Sequence, residues 1–180
     1  MIRYIAFLRA INVGGHTVKM DQLRKLFEQL GLSSVETFIA SGNVIFETGE
    51  KKAQALEKKI EGHLREALGY EVATFLRTSA ELAAIADHKP FPASELEADG
   101  NMLYVGFLAA SPAEKARQAL IDLRTEIDEL QVHEREIYWL CRKKFSESKI
   151  GGALLEKRAG MPATLRNVTT VRKIAAKYPP

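Results

Sequence analysis

The chain has 180 residues, of which 46% are hydrophobic and 27% are charged, an ordinary composition for a globular protein with one substantial core or two smaller ones. It contains no apolar run long enough to span a bilayer, and its first residues lack the cleavage site of a signal peptide. The single cysteine, Cys141, excludes an internal disulfide and a cysteine-rich zinc site. These features predict a cytoplasmic protein without a membrane partner.

The net charge of +3 is unevenly distributed along the chain. Residues 1–77 contain 11 basic and 9 acidic residues, residues 78–141 contain 5 and 12, and residues 142–180 contain 10 and 2. The basic tail predicts either attraction to nucleic acid or another anionic partner, or docking on the acidic middle of its own chain. The sequence alone leaves both alternatives open.

The first part of the chain alternates between strand and helix patterns. The first strand is apolar on both faces, which predicts a central strand that is covered on both sides. The helix that follows repeats its apolar residues at i, i+3, i+4 and i+7. The pattern predicts the order β-α-β-β-α-β over residues 3–11, 20–30, 35–40, 44–47, 51–68 and 71–77. This is the split βαβ order of a ferredoxin-like sheet.

The second part begins like the first. Thr78 and Glu81 predict a capping box at the start of a short helix, and Ser111-Pro112 predicts another helix start. Between these two helices the pattern predicts a loop over 88–100 and an apolar strand over 101–109, and a hairpin over 130–141 follows the second helix. The strand, the second helix and the hairpin make a second β-α-β-β run. We therefore expect an α+β fold with duplicated ferredoxin-like subdomains.

The predicted boundaries are a first subdomain over 1–77, a helix and linker over 78–100, and a second half over 101–180. The second half is expected to depart from the first after residue 141. There the pattern predicts two helices, near 152–158 and 168–178, which form a basic helical segment without a fourth strand.

Topology predicts a ligand site at one edge of the first sheet. In a split βαβ sheet the end of strand one and the start of strand three share an edge. The N-terminus of the first helix opens on the same side and favours an anion. The polar residues expected to meet there are Arg9, Asn12, His16, Lys19, Ser41 and Asn43, with Gly14, Gly15 and Gly42 in the turns.

An arginine in this position would make a forked contact with a phosphate or a carboxylate. The alternative is purely structural: the glycines and Asn43 form turns, and Arg9 pairs with an acidic residue of the second half.

A second group of candidates lies in the tail. Residues 146–152 and 164–167 each precede a predicted helix and could bind an anion at its start. The alternative makes Asn167 the N-cap of the last helix and Arg166 a surface pairing residue. No cofactor motif is present, since NVGG matches neither a dinucleotide fingerprint nor a P-loop. The four histidines share no metal-ligand spacing, so no metal is predicted and catalysis is left open.

Several segments together resemble a known family. The segments FLRAINVGG, KM before a leucine-rich helix, SGNVIF and the late TLRN followed by TTV resemble the bacterial domain of unknown function family 1697, in order and over nearly the whole chain. The resemblance implies an α+β fold of two ferredoxin-like subdomains and no established activity. An aromatic residue often follows the late Arg-Asn pair in that family, whereas this chain has Val168. The family's characteristic positions map onto Arg9, Asn12, Gly14, Gly15, Lys19, Met20, Ser41, Gly42, Asn43, Arg166 and Asn167.

Three functions follow from these patterns as hypotheses. The first is binding of a small anionic or nucleotide-like ligand at the end of strands one and three. The second is association with nucleic acid through the basic tail, and the third is an enzyme whose chemistry comes from its substrate or a metal. A strand-three aromatic, Phe46, lacks the pattern of an RNA-binding sheet and is expected in the core.

Overall fold

The computed structural model describes residues 1–12, 14–39 and 42–180. Over these ranges the fold is α+β, with two four-stranded antiparallel sheets and seven helices. The strands are β1 (Ile2–Leu8), β2 (Ser33–Thr37), β3 (Asn43–Thr48), β4 (Thr74–Thr78), β5 (Met102–Leu108), β6 (Asp128–His133), β7 (Glu136–Cys141) and β8 (Ala163–Asn167). The helices are α1 (Met20–Glu28), α2 (Ala53–Leu68), α3 (Ser79–Asp87), α4 (Ala93–Leu96), α5 (Glu114–Ile121), α6 (Gly152–Ala159) and α7 (Val168–Lys177).

The chain forms two compact units, one of residues 1–84 with 174–180 and one of residues 85–173. The sheet of the first unit has the order β2-β3-β1-β4, and that of the second has the order β6-β7-β5-β8. β1 pairs antiparallel with β3 and β4, and β5 pairs antiparallel with β7 and β8. The predictions that the first strand is central and that the end of strand one lies beside the start of strand three are confirmed, and β5 is central in its own sheet.

The central strand β1 of the first sheet is buried on both faces. Tyr4, Ala6 and Leu8 alternate along β1 and belong to the core formed with α1 and α2. Ile5 and Phe7 point to the opposite face and are also fully buried. This two-sided burial explains why β1 lacks the polar alternation of a half-exposed strand.

The core of the second unit contains a buried carboxylate that binds three side chains. Asp128 is 1% exposed. Its Oδ1 accepts hydrogen bonds from Trp139 Nε1 at 2.9 Å and Ser148 Oγ at 2.8 Å, and its Oδ2 accepts from Thr125 Oγ1 at 2.9 Å. One aspartate therefore connects the turn before β6, the centre of β7 and the segment that follows β7.

The tail differs from the predicted one, because it contains a fourth strand. β8 pairs with β5 where the sequence pattern predicted no strand before the last helix. Ala163, Thr164 and Arg166 are all buried on this strand. A polar strand so short has no alternation of its own, and its pairing with a strand far away in the sequence decides its structure.

Two predicted helix starts have different outcomes. The Thr78–Glu81 capping box is confirmed: Glu81 N–H donates to Thr78 Oγ1 at 3.1 Å, and Thr78 N–H donates to Glu81 Oε2 at 2.8 Å. The start predicted at Ser111-Pro112 is wrong, since α5 begins at Glu114 after Ala113, which makes no side-chain cap. A proline favours a first turn but does not by itself determine its position.

Ion pairs engage part of the basic tail. Arg142 donates to Glu95 at 3.1 Å and to Glu129 at 2.7 Å, and these hydrogen bonds raise the pKa of its guanidinium. Lys177 lies 3.4 Å from Glu36, whose carboxylate also accepts from Tyr178 Oη at 2.6 Å. The hydrogen bond from Tyr178 lowers the pKa of Glu36. For Arg142, then, the tail does dock on the acidic middle segment of its own chain.

None of the helices in the described ranges combines the length and the apolar character that crossing a membrane requires.

Candidate functional site

The structure brings the end of β1 and the start of β3 together. Leu8 N–H donates to Gly42 O at 2.9 Å, and Phe7 pairs with Asn43. A Cβ atom on Gly42 would lie only 2.6 Å from Ile11 Cγ2 and 3.2 Å from Leu8 Cβ. The backbone at Gly42 therefore packs directly against the residues that follow β1, and it has a φ of 78°, which favours glycine.

The loop between β1 and α1 is held by three contacts to side chains. Asn12 Oδ1 accepts from Val18 N–H at 2.7 Å, which closes the loop across its base. Tyr70 Oη donates to Ile11 O at 3.2 Å. The ring of Tyr70 stacks on His16, with centroids 3.8 Å apart and an interplanar angle of 22°. Burial of the hydroxyl raises the pKa of Tyr70. These three contacts thus tie Ile11, Asn12 and His16 to neighbouring parts of the first unit.

Both ends of this loop present an exposed cation. Arg9 directly follows β1, and its backbone N–H donates to Ala73 O at 2.9 Å. Lys19 directly precedes α1 and makes no side-chain capping bond, and Asp21 is the acidic residue of the helix's first turn. A guanidinium and an ammonium near a helix N-terminus form a local environment that favours anions.

The turn before β3 has a structural brace. Asn43 is fully buried, and its Nδ2 donates to Phe38 O at 2.9 Å while Phe38 N–H donates to Asn43 O at 2.9 Å. Asn43 therefore holds the two arms of the turn together. Ser41, a predicted ligand contact, lies outside the described residues with Val13 and Ala40.

Arg166 and Asn167, also predicted ligand contacts, lie in the second unit. Arg166 is 8% exposed, and its Nη1 donates to Thr164 Oγ1 at 2.8 Å and to Leu165 O at 2.9 Å. Burial lowers the pKa of Arg166 to about 10. The alternative of a surface arginine is therefore wrong. Asn167 Oδ1 accepts from Thr169 N–H at 2.8 Å, as the N-cap alternative expected. A part in ligand binding for either residue stays a prediction.

Sequence reasoning missed Tyr70. It follows Gly69, which ends α2, and nothing in the local pattern connects it with a loop more than fifty residues earlier. An aromatic residue directly after a helix stop is only a weak signal, because such residues commonly pack wherever the chain turns back.

Two histidines stack in the second unit, away from this loop in the sequence. The rings of His88 and His133 have centroids 4.5 Å apart and an interplanar angle of 13°, and Tyr138 lies 4.8 Å from His88. Burial lowers the pKa of His88, the charge of His133 lowers it further, and Glu134 opposes both. Among the described residues no group of three or more His, Cys, Asp or Glu side chains could hold a metal ion.

We expect the histidine pair to make stability depend on pH. Because the folded-state pKa of His88 is depressed, its contribution is present above the unfolded value of about 6.5 and is lost as pH falls through the folded value. Replacing His133 with glutamine removes the repulsive neighbour and should reduce this loss. Urea denaturation at pH 7.5 and pH 5.5 measures it.

His63→Gln is the control for this comparison, since His63 lies in the first unit, where it is half-buried and contacts Gln29 of the same unit. An equal loss of stability on acidification in the wild-type protein and the His133→Gln variant would contradict a coupled histidine pair.

Comparison with known proteins gives a family and a fold. The family model DUF1697, described as a protein of unknown function, matches residues 1–138. The structure of the conserved bacterial protein SP0830 from Streptococcus pneumoniae is similar, with a TM-score of 0.75 and 26% identity over 97% of each chain. No curated relative matches the chain.

Proposed function

We propose that this chain, which belongs to the DUF1697 family of proteins of unknown function, binds a small anionic or nucleotide-like ligand at the end of β1 and β3. The observation that carries the proposal is the pair of exposed cations, Arg9 and Lys19, at the two ends of a loop held by side-chain contacts. A binding loop that is already ordered loses little conformational freedom when a ligand arrives.

The chemistry of the loop supports an anion over a cation. The guanidinium of Arg9 offers a planar fork that matches phosphate and carboxylate, and Lys19 adds a mobile ammonium. The first backbone N–H groups of α1, which directly follow Lys19, lie at the positive end of the helix dipole. Asp21 in the first turn offsets only part of this positive charge.

We also infer that the two units are copies of one ferredoxin-like, split βαβ unit. Ile5 pairs with Arg77 in the first sheet, and Val105 pairs with Arg166 at the same register of the second. Each arginine is buried, and its Nη1 donates to the carbonyl oxygen of the preceding residue, at 2.8 and 2.9 Å. A shared register together with a shared side-chain contact supports duplication more strongly than strand order alone.

The corresponding loop of the second unit lacks the features of the proposed site. Leu108 N–H donates to Arg135 O at 3.0 Å, which matches the bond from Leu8 to Gly42. The segment between β5 and α5, residues 109–113, contains no charged residue. The comparison therefore supports placing the proposed site of Arg9 and Lys19 in the first unit, without an equivalent in residues 109–113 of the second.

Replacing both cations should abolish ligand binding without unfolding the protein. We expect phosphate, sugar phosphates or nucleotides to raise the melting temperature of the wild-type protein, because a ligand that binds only the native state stabilises it. In the double variant Arg9→Gln, Lys19→Gln this increase should disappear, while the melting temperature without ligand stays nearly unchanged. A thermal-shift series measures both quantities.

The matched control is Arg172→Gln, Lys173→Gln, which removes the same charge from exposed positions of α7. It should retain the ligand-induced increase. A large loss of unliganded stability in the Arg9 and Lys19 variant would instead assign these residues to the scaffold.

Nucleic-acid binding is the second candidate, and one observation favours it. Arg172 and Lys173 are exposed on α7, whereas their neighbours Val171 and Ile174 are fully buried. The ion pairs of Arg142 and Lys177 already occupy other cations of the tail. Salt-dependent binding of DNA or RNA that the Arg172 and Lys173 control variant loses would support this candidate instead.

A further inference from the structure

An aromatic pair lies in the same loop as the two cations. His16 is exposed, and its ring stacks on the half-buried ring of Tyr70 at a centroid distance of 3.8 Å. Lys19 is the third residue after His16, which limits the distance between their Cα atoms to about 11 Å. The loop thus combines a flat ring system with positive charge.

The ring of Tyr70 is held by a contact to a buried residue. Tyr70 is anchored through its hydroxyl to Ile11 O at 3.2 Å, and Ile11 is 2% exposed. Gly42 packs against the side chain of Ile11 from the turn before β3. Arg9 lies two residues before Ile11, so its Cα atom is within about 7 Å of this junction. The hydroxyl of Tyr70 and the Cα atom of Arg9 therefore both lie close to Ile11.

We propose that the ligand of this loop is a nucleotide, whose base stacks on His16 while its phosphate contacts Arg9 and Lys19. The inference rests on the proposed function and names the ligand class for that site. Proteins commonly stack bases on aromatic and histidine rings, because every base has a flat face. A simple phosphate or a dicarboxylate would use the cations and leave the stacked rings without a role.

The His16–Tyr70 pair gives the nucleotide a measurable advantage over its own sugar phosphate. Base stacking on a ring changes affinity by about 5- to 150-fold. A nucleoside monophosphate should therefore bind more tightly than ribose 5-phosphate by a factor in this range. The preference should depend on the rings and not on the charges.

Calorimetric titration with inorganic phosphate, ribose 5-phosphate and the monophosphates of adenosine, guanosine, cytidine and uridine tests this. In the wild-type protein at least one nucleotide should exceed ribose 5-phosphate by the stated factor. His16→Ala should reduce that nucleotide to the level of ribose 5-phosphate and leave ribose 5-phosphate binding unchanged. Tyr70→Phe keeps the supporting ring and should retain most of the preference, whereas Tyr70→Leu should lose it.

The possible failures are distinguishable. If ribose 5-phosphate or phosphate binds as tightly as every nucleotide, the inference is overturned while the proposed anion site stands. If His16→Ala retains the nucleotide preference, the base does not stack there and the inference is again overturned. If none of these probes binds the wild-type protein, the proposed function itself fails.

Discussion

Replacing Gly42 with alanine is expected to destabilise the protein by about 2–5 kcal/mol. The new Cβ would lie 2.6 Å from Ile11 Cγ2, which forces a shift that costs about 1–3 kcal/mol in a packed region. The φ of 78° adds a further cost of about 1–2 kcal/mol for a residue with a side chain. Urea denaturation followed by circular dichroism measures the loss.

Gly31→Ala separates these two contributions. Gly31 has the same φ of 78°, but a Cβ there would meet no atom within 4 Å. This control should therefore show only the backbone cost. Equal losses in the two variants would mean that the Gly42 turn does not pack on Ile11 as the structure has it.

Replacing Asp128 with alanine should destabilise the second unit by about 3–5 kcal/mol. The change leaves Trp139 Nε1, Ser148 Oγ and Thr125 Oγ1 without their acceptor, and each buried donor that loses its partner costs about 1–3 kcal/mol. The two hydroxyls can rotate to other partners, but the indole N–H of Trp139 is fixed by its ring. Trp139 is the one tryptophan of the chain, so its fluorescence reports unfolding directly.

Asp128→Asn is the matched control, since its amide oxygen can still accept from Trp139 and Ser148. We expect it to lose no more than about 1 kcal/mol, the net value of one typical hydrogen bond. A loss for Asp128→Ala no larger than for Asp128→Asn would show that the carboxylate does not organise this core.

Strands that are buried on both faces were predictable from the sequence. β1 and β5 consist almost wholly of apolar residues, and burial alone dictates their central positions. β8 was not predictable, because its short polar sequence has no alternation and only pairing with β5 reveals that Arg166 is buried. The role of Asp128 was hidden for the same reason, since its partners Trp139 and Ser148 lie on other segments.

The juxtaposition of the loop and the turn at the candidate site was predictable, but the side-chain contacts there were not. Strand topology alone placed the loop after β1 beside the turn at Gly42. Asn43 was predicted as a ligand contact, which stays a prediction, and its bond to Phe38 across this turn was not foreseen. Tyr70 was missed because its contact with Ile11 depends on how α2 ends, which no local pattern of residues encodes.

The shared register of the two sheets gives this chain an internal reference. The residues from Tyr4 to Leu8 in β1 have counterparts from Tyr104 to Leu108 in β5, pairing with β4 and β8 at equivalent positions. The strand pairing therefore recurs at the same register in the two sheets, but the charged loop of residues 9–19 has no charged counterpart in residues 109–113. When a ligand is added, the backbone amides of the second sheet serve as the reference for non-specific effects of the changed solution. A change that is confined to the matching amides of the first sheet is caused by ligand binding at the loop.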